Sequence, residues 1–477
     1  MAKHSSGALA PEWLKVPADL NALSPRVWPS TVMRDSAGEL TIGGVTVDEL
    51  ANQFGTPLYV LDEHDFRARA TSVKKALTEA SERIGTTAKV YYASKAFLCT
   101  QIVEWVNELG LNIDVASGGE LAAALAGGIP AERIGLHGNN KSPGEIGRAI
   151  SAGVGAIVVD SDIEIERIAS IAAAMDKVQP VRLRVSTGVH ADTHDFLATA
   201  REDQKFGIPL AEVPALVEKI RSDRHLRFLG LHQHVGSQIY SAEGFIASTK
   251  RLIEMHAQLL AGGEIPELNL GGGFGINYKL DDDAPAVSKT ANAITDALAA
   301  ECQRLGIQVP ALAFEPGRAM IGNSGITIYN VGTIKDVRLT DEVTGGEATR
   351  KYVSVDGGMS DNIRTALYEA EYHVVLASRV SSAEPALSRV VGKHCESGDI
   401  VVRHDYLPGD VSPNDLLAVA ATGAYCHSMS NNYNWIARPP VVSVRGGTAN
   451  LLVRGETEAD LFARDVRYQH KHGGKTV

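Results

Sequence analysis

The chain has 477 residues, 44% hydrophobic and 22% charged, an ordinary globular composition with room for two or more domains. Lys plus Arg number 46 against 57 Asp plus Glu, a formal charge of −11 with no basic block, which argues against a nucleic-acid protein. No apolar run approaches the ~20 residues that span a membrane, and the cysteines (Cys99, Cys302, Cys395, Cys426) fit neither a disulfide framework nor a zinc site.

The opening stretch, "MAKHSSGALAPEWLKVPADL", lacks an apolar core of signal-peptide length, so a cytosolic protein is expected. These first residues match no motif and are expected to form a flexible arm. "GELTIGGVTVDELANQFG" then reads as a hairpin followed by a short helix, and residues 1–56 form an N-terminal segment.

Residues 57–315 form the expected barrel domain. Its eight short apolar runs are "AKVYYASK", "LNIDVASGG", "RIGLHGNN", "GAIVVDSD", "VRLRVSTG", "RFLGLHQHVGSQ", "PELNLGGGFG" and "PALAFEPGR". Between them lie stretches such as "FLCTQIVEWVNELG" and "GELAAALAGG", whose apolar residues recur at helical spacing. Strand–helix alternation implies a parallel sheet. Eight such units suit a closed (β/α)8 TIM barrel, with an open doubly wound sheet as the alternative.

Residues 316–477 change character. "GITIYNVGTIKDV", "KYVSVDGG", "EYHVVLAS", "LSRVVGKH", "DIVVRH", "LLAVAATGAY", "PVVSVRG" and "NLLVRG" read as strands with little helix between them, hence a β-barrel or sandwich domain. On pattern alone the N-terminal segment fits either domain. "RLTDEVTGGEATRKY" reads as a long, exposed hairpin loop.

In a (β/α)8 barrel the chemistry gathers at the C-terminal strand ends. Those ends carry Lys95; Asp114 and Ser117; His137 and Asn139; Asp160; Ser186; His234 and Ser237; Gly271, Gly272 and Gly273; and Glu315 with Arg318. Each has a plain explanation, such as a core histidine, a tight turn or a structural ion pair. Together they fit one chemistry better. A triple glycine after a strand opens backbone N–H groups to an anion. Ser237 adds a hydroxyl donor, an imidazole at His234 stacks on a flat ring, and Glu315 keeps a pyridine nitrogen protonated. Lys95 forms a Schiff base with an aldehyde. Phosphate, ring, nitrogen and aldehyde describe pyridoxal 5′-phosphate.

The stretches "YYASKAF", "DVASGGEL", "HQHVGSQI", "NLGGGFGI", "EPGR", "DGGM", "CESGD" and "GAY" run in order from Tyr91 to Tyr425. In them the chain closely resembles the bacterial diaminopimelate decarboxylases, fold-type III pyridoxal-phosphate enzymes related to the ornithine and arginine decarboxylases. The resemblance implies a barrel plus a β domain that the N-terminal segment joins. It implies decarboxylation of meso-2,6-diaminopimelate to L-lysine. The alternatives are an ornithine- or arginine-type decarboxylase of the same fold and a catalytically silent cofactor-binding relative.

By that resemblance Lys95 carries the cofactor and His234 stacks on it. Ser237, Gly272, Gly273, Gly317 and Arg318 surround the phosphate, Glu315 faces the ring nitrogen and Asp114 supports the lysine side. Cys395 is implied as the proton donor to the substrate carbon. Arg318 and Arg364 are implied to clamp the distal carboxylate. Glu396 takes the distal ammonium, Tyr368 lies four residues from Arg364, and Tyr425 contacts cofactor and substrate. The stretch His194 to Ile208 is expected to shape the distal pocket. The family pattern also implies a homodimer in which "CESGD" enters the neighbouring subunit's site. No metal is implied.

Overall fold

The structure, a computed structural model, describes residues 10–189, 205–340 and 345–468. Among these, no helix is long and apolar enough to cross a membrane. The chain divides into two compact units.

The first is a closed eight-stranded parallel barrel. Its strands are β1 (Ala88–Ala93), β2 (Asn112–Val115), β3 (Ile134–Leu136), β4 (Ala156–Val159), β5 (Gln179–Ser186), β6 (Leu226–His232), β7 (Glu267–Asn269) and β8 (Ala311–Phe314). Each pairs in parallel with the next, and β8 closes on β1 with Phe314 opposite Val90. Closure rules out the open doubly wound alternative. All eight expected strand runs are strands, because Val, Ile and Leu buried on both faces give short continuous apolar runs.

The surrounding helices follow from their sequences. Thr100–Glu108 buries Ile102, Val103, Trp105 and Val106, and the first two and last contribute roughly 2 kcal/mol each by transfer from water. Gly118–Ala126 starts where the Ser117 side chain accepts from the Glu120 N–H. Pro143–Ala152 opens with a Ser142–Glu145 capping box. Ser117 therefore caps this helix.

The barrel interior holds a buried ion cluster. Arg182 on β5 is 1% exposed, its Nε pairs with Glu267 Oε1 on β7, and its Nη2 donates to Tyr91 Oη on β1 at 2.8 Å. Lys89 Nζ adds a contact to Glu267 at 3.1 Å.

The second unit gathers residues up to Phe66, 277–282 and the chain from Ile321. Its main sheet runs Ile400–Pro408, Pro385–Val391, Glu347–Val355, Gly325–Thr340, Leu58–Asp62, Val441–Arg445 and Thr448–Val453. Val374–Leu376 pairs with Leu416–Val419, which joins Gly325–Thr340. Leu58–Asp62 belongs here rather than in the barrel: it runs antiparallel to Gly325–Thr340 and parallel to Val441–Arg445. Its five residues are all buried, so its sequence reads like a barrel strand's. The expected start of the barrel at residue 57 thus differs from the observed division at Phe66.

The N-terminal segment packs in this unit. Leu40 N–H donates to Ala377 O at 2.8 Å, and Arg34 reaches the Leu376 carbonyl. The expected flexible arm is instead held from Ala10 onward. Trp13 lies under the Lys279 ammonium at 4.1 Å, and Asn21 exchanges hydrogen bonds with the Ser381 backbone. The expected long loop after Arg338 is shorter than its sequence implies, since Thr340 still pairs with Glu347; its tip, 341–344, lies outside the described residues. Most of the stretch His194 to Ile208 does too.

Breaking the interior cluster should be costly. Glu267→Ala strands the Arg182 charge and is expected to lower stability by about 3–5 kcal/mol in urea unfolding. A paired Arg182→Met, Glu267→Leu replacement should lose clearly less.

Candidate active site

The polar strand ends of the barrel converge on Glu315, one residue beyond β8 and 9% exposed. Asn269, the last residue of β7, donates Nδ2–H to Glu315 Oε1 at 2.6 Å. His232, the last residue of β6, lies with Nε2 3.0 Å from Oε2. His137, just past β3, places Nε2 3.5 Å from Oε1 and 3.1 Å from Asp114 Oδ1. Successive side chains on a strand face opposite ways, which is why Glu267 and Asn269, two apart on β7, both enter the interior.

Burial alone would raise the Glu315 pKa. His232 and His137, with the His232 hydrogen bond, overturn that and hold it well below the usual carboxylate range. Burial pushes both histidines down to about 4, with Glu315 opposing, so they are neutral at pH 7. A neutral His232 still donates Nε2–H, so the Glu315 anion is satisfied without a second charge. Asp114 shows the converse: burial first, then the Glu315 charge, raise its pKa well above the ordinary value. Of the two carboxylates in the pocket, the surroundings favour the charged form of Glu315 and disfavour that of Asp114.

Lys95 follows β1 in a single 3₁₀ turn, Ser94–Ala96. The turn is fixed by Tyr92 Oη donating to Phe97 O at 2.7 Å and by Ala93 N–H donating to Pro316 O at 3.3 Å. Gly317 packs so closely that a Cβ there would lie 2.9 Å from Ala93 Cβ. Lys95 is exposed to solvent, yet protein crowds its flanks. That desolvation lowers its pKa; Glu315 opposes, and Arg184 adds to the lowering.

A ring-and-anion receptacle lies on the same rim. His234 is half-buried and pushed down to about 3, by burial first and then by the Lys95 charge, leaving a neutral flat ring. The Gly272 N–H lies 3.5 Å from its Nδ1. Gly271 and Gly273 have φ of +70° and +116°, and a Cβ would meet the Gln233 and Gly236 carbonyls at 2.2 and 2.5 Å. Among the described residues the N–H groups of Gly273 and Gly317 have no hydrogen-bond acceptor. Arg318 Nη2 donates to Ser237 Oγ at 2.8 Å beside them. Two open backbone donors, a hydroxyl and a guanidinium suit a phosphate; a neutral ring, a buried carboxylate and an amine suit a pyridine aldehyde. Glu315 accepts two hydrogen bonds and retains lone pairs for a third. These residues fit pyridoxal 5′-phosphate.

His232 and Asn269 are not among the residues that the strand-end pattern singles out. His232 lies two residues before His234 and Asn269 two after the interior Glu267, so period-two alternation is the signal that points to both. Asp160, read as a rim member, accepts from the Gly207 N–H at 3.0 Å and anchors that loop.

The remaining named residues lie in the second unit. Cys395 and Glu396 are exposed on a turn organised by Asp399, whose carboxylate accepts from Met359 N–H at 2.6 Å, His394 N–H at 2.7 Å and His394 Nδ1 at 2.9 Å. A Cβ on Gly358 or Gly392 would strike that carboxylate at 2.4 or 2.2 Å, which ties "DGGM" to "CESGD". Arg364 and Tyr368 bound one short helix but do not share an environment: Arg364 is 7% exposed and Tyr368 61%. Tyr425 is half-buried with φ +67°.

Fold and site thus define a barrel enzyme of pyridoxal-phosphate chemistry. Residues 66–322 match the family described as pyridoxal-dependent decarboxylase, pyridoxal binding domain. The diaminopimelate decarboxylase of Mycobacterium tuberculosis is 48% identical over 94% of this chain and 100% of its own length. That of Bacillus subtilis is 41% identical over 92% and 98%. The crystal structure of diaminopimelate decarboxylase from M. jannaschii with L-lysine aligns with a TM-score of 0.83 at 31% identity, covering 92% of this chain and 98% of that one. The chain belongs to the diaminopimelate decarboxylase family.

The histidine cluster gives a direct check. His137, His232 and His234 should remain neutral from pH 8 down to pH 5, because burial places their protonation near 4 or below. NMR titration of the labelled imidazoles should show no imidazolium signal from them above pH 5.

Proposed function

We propose that this chain removes carbon dioxide from meso-2,6-diaminopimelate to give L-lysine, the last step of lysine biosynthesis. The observation that carries this reading is the 41–48% identity, over nearly full length, to relatives named for that reaction. A feature of this chain's own residues supports the substrate: Arg364 is buried without an acidic partner among the described residues, so it suits a substrate whose far end is anionic. Ornithine or arginine would bring a cation there instead.

In this reading Lys95 Nζ carries pyridoxal 5′-phosphate covalently, and its lowered pKa favours the neutral amine that can attack a carbonyl. Gly273, Gly317, Ser237 and Arg318 hold the phosphate, with Gly272 keeping the backbone close. His234 presents a neutral face to the ring, and Asp114 stands on the lysine side. Bound there, the cofactor supplies an electron sink for the pair left on the α-carbon when carbon dioxide departs. The Glu315 anion keeps a proton on the ring nitrogen, which strengthens that sink. Cys395 delivers a proton to the α-carbon and regains one from solvent.

Arg318 and Arg364 receive the distal carboxylate, Glu396 the distal ammonium, and Tyr368 and Tyr425 complete the substrate contacts. Cys395 and Glu396 are exposed in the single chain, which supports a homodimer in which a second copy covers this turn. The free cysteines accord with a cytosolic location.

Purified protein incubated with meso-diaminopimelate should release carbon dioxide and lysine in equal amounts; cofactor-loaded protein without turnover rejects the reading. Borohydride should fix the cofactor's mass on the peptide containing Lys95. Arg364→Ala should lower kcat/KM for diaminopimelate by roughly a hundredfold, the size expected for a lost charge-assisted contact.

A further inference from the structure

Arg364 presents an unusual electrostatic problem. Its backbone is fixed at the start of the helix Arg364–Tyr368, where its N–H donates to Asn362 Oδ1 at 3.3 Å. Its guanidinium is buried, yet no carboxylate lies within ion-pairing distance among the described residues. Three aromatic rings stand in for one. The Arg364 Cζ lies 5.0 Å from the Tyr278 ring centroid, 5.7 Å from Tyr372 and 5.9 Å from Tyr425. Nη1 donates to Tyr372 Oη in a short hydrogen bond. Ring faces and a phenol oxygen orient a guanidinium but do not neutralise it. Burial keeps Tyr372 a neutral phenol by raising its pKa well above 10, so the positive charge persists.

The box is itself braced. Tyr278 and Tyr372 meet edge to face at 5.3 Å and 85°. Tyr372 is 1% exposed, and its hydroxyl lies 3.6 Å from the buried Cys426 Sγ. Tyr278 belongs to a segment held by its own N–H donating to Asp282 Oδ2 at 2.8 Å and by the Lys279 ammonium over Trp13. One guanidinium edge is therefore spent on Tyr372, and the remaining donors have a single braced orientation.

We infer that Tyr372 and Tyr278 are positioning residues that pre-orient the Arg364 guanidinium for a substrate carboxylate, and so help set the preference for a substrate with an anionic far end. The inference rests on the proposed decarboxylation of diaminopimelate. A guanidinium held in one orientation loses less freedom on binding, so its positioning is read in substrate binding rather than in the chemical step.

The test is a double-mutant cycle on the cofactor-loaded enzyme. Tyr372→Phe keeps the ring and removes the hydroxyl; Tyr278→Leu removes a ring face and serves if the first variant fails to fold. Each is expected to raise KM for diaminopimelate roughly tenfold, the effect of losing a hydrogen bond or a ring contact to a charged group, with kcat within about twofold. The visible spectrum of the bound cofactor should not move. In an Arg364→Ala background the same changes should have no further effect, because they act through that side chain. Equal effects in both backgrounds, or a loss in kcat with KM unchanged, overturn the inference and leave the decarboxylase reading standing. A wild-type enzyme that releases no carbon dioxide from diaminopimelate removes both.

Discussion

The barrel end is organised around one buried anion. Glu315 follows β8, its hydrogen-bond partners come from the ends of β7 and β6, and His137 stands 3.5 Å away just past β3. Taking a carboxylate out of water is expensive unless its lone pairs are met, so these strand ends cannot shift independently. The anion then dictates its surroundings. It disfavours a second charge on Asp114, and it moderates the desolvation of the Lys95 ammonium. A lone negative charge fixed by neutral donors is what a protonated ring nitrogen requires. Had His232 and His137 been imidazolium, they would have spent that charge before any ligand arrived.

Much of this was legible in the sequence because it is periodic. Strands buried on both faces give continuous apolar runs, and all eight of the barrel emerged from them. The same property hides the allegiance of Leu58–Asp62, which is equally buried but pairs with Gly325–Thr340. Pairing partner is a long-range fact that a five-residue run does not encode. The N-terminal residues failed for the opposite reason. They have no secondary structure to announce, and their order comes from isolated contacts such as Trp13 with Lys279 and Asn21 with Ser381.

Side-chain identity was more legible than side-chain environment. Lys95, Asp114, His234 and Glu315 could be named from their places after strands. Whether His232 was core or rim could not, since it stands at the point where interior becomes mouth. The turn carrying Cys395 and Glu396 was visible as a motif, but its last residue gained a physical role only in the structure. Asp399 accepts hydrogen bonds from Met359 and His394, and Gly358 of "DGGM" and Gly392 just before "CESGD" make room for it. The sequence stretches "DGGM" and "CESGD" are two halves of one turn.

Two buried arginines separate fold from function. Arg182 and Arg364 are both nearly inaccessible, both lie against tyrosine rings, and both donate to a tyrosine hydroxyl. Arg182 also has Glu267, itself steadied by Lys89, so its charge is balanced within the fold. Arg364 has aromatic faces and a phenol but no acid among the described residues. Dispersion and ring quadrupoles offset part of the desolvation and leave the net charge in place. A buried pair balances its charge within the fold; a buried cation with directed, unmatched donors is stabilised further only when something anionic arrives. The difference between the two sites is one missing carboxylate, and the proposed substrate carries it.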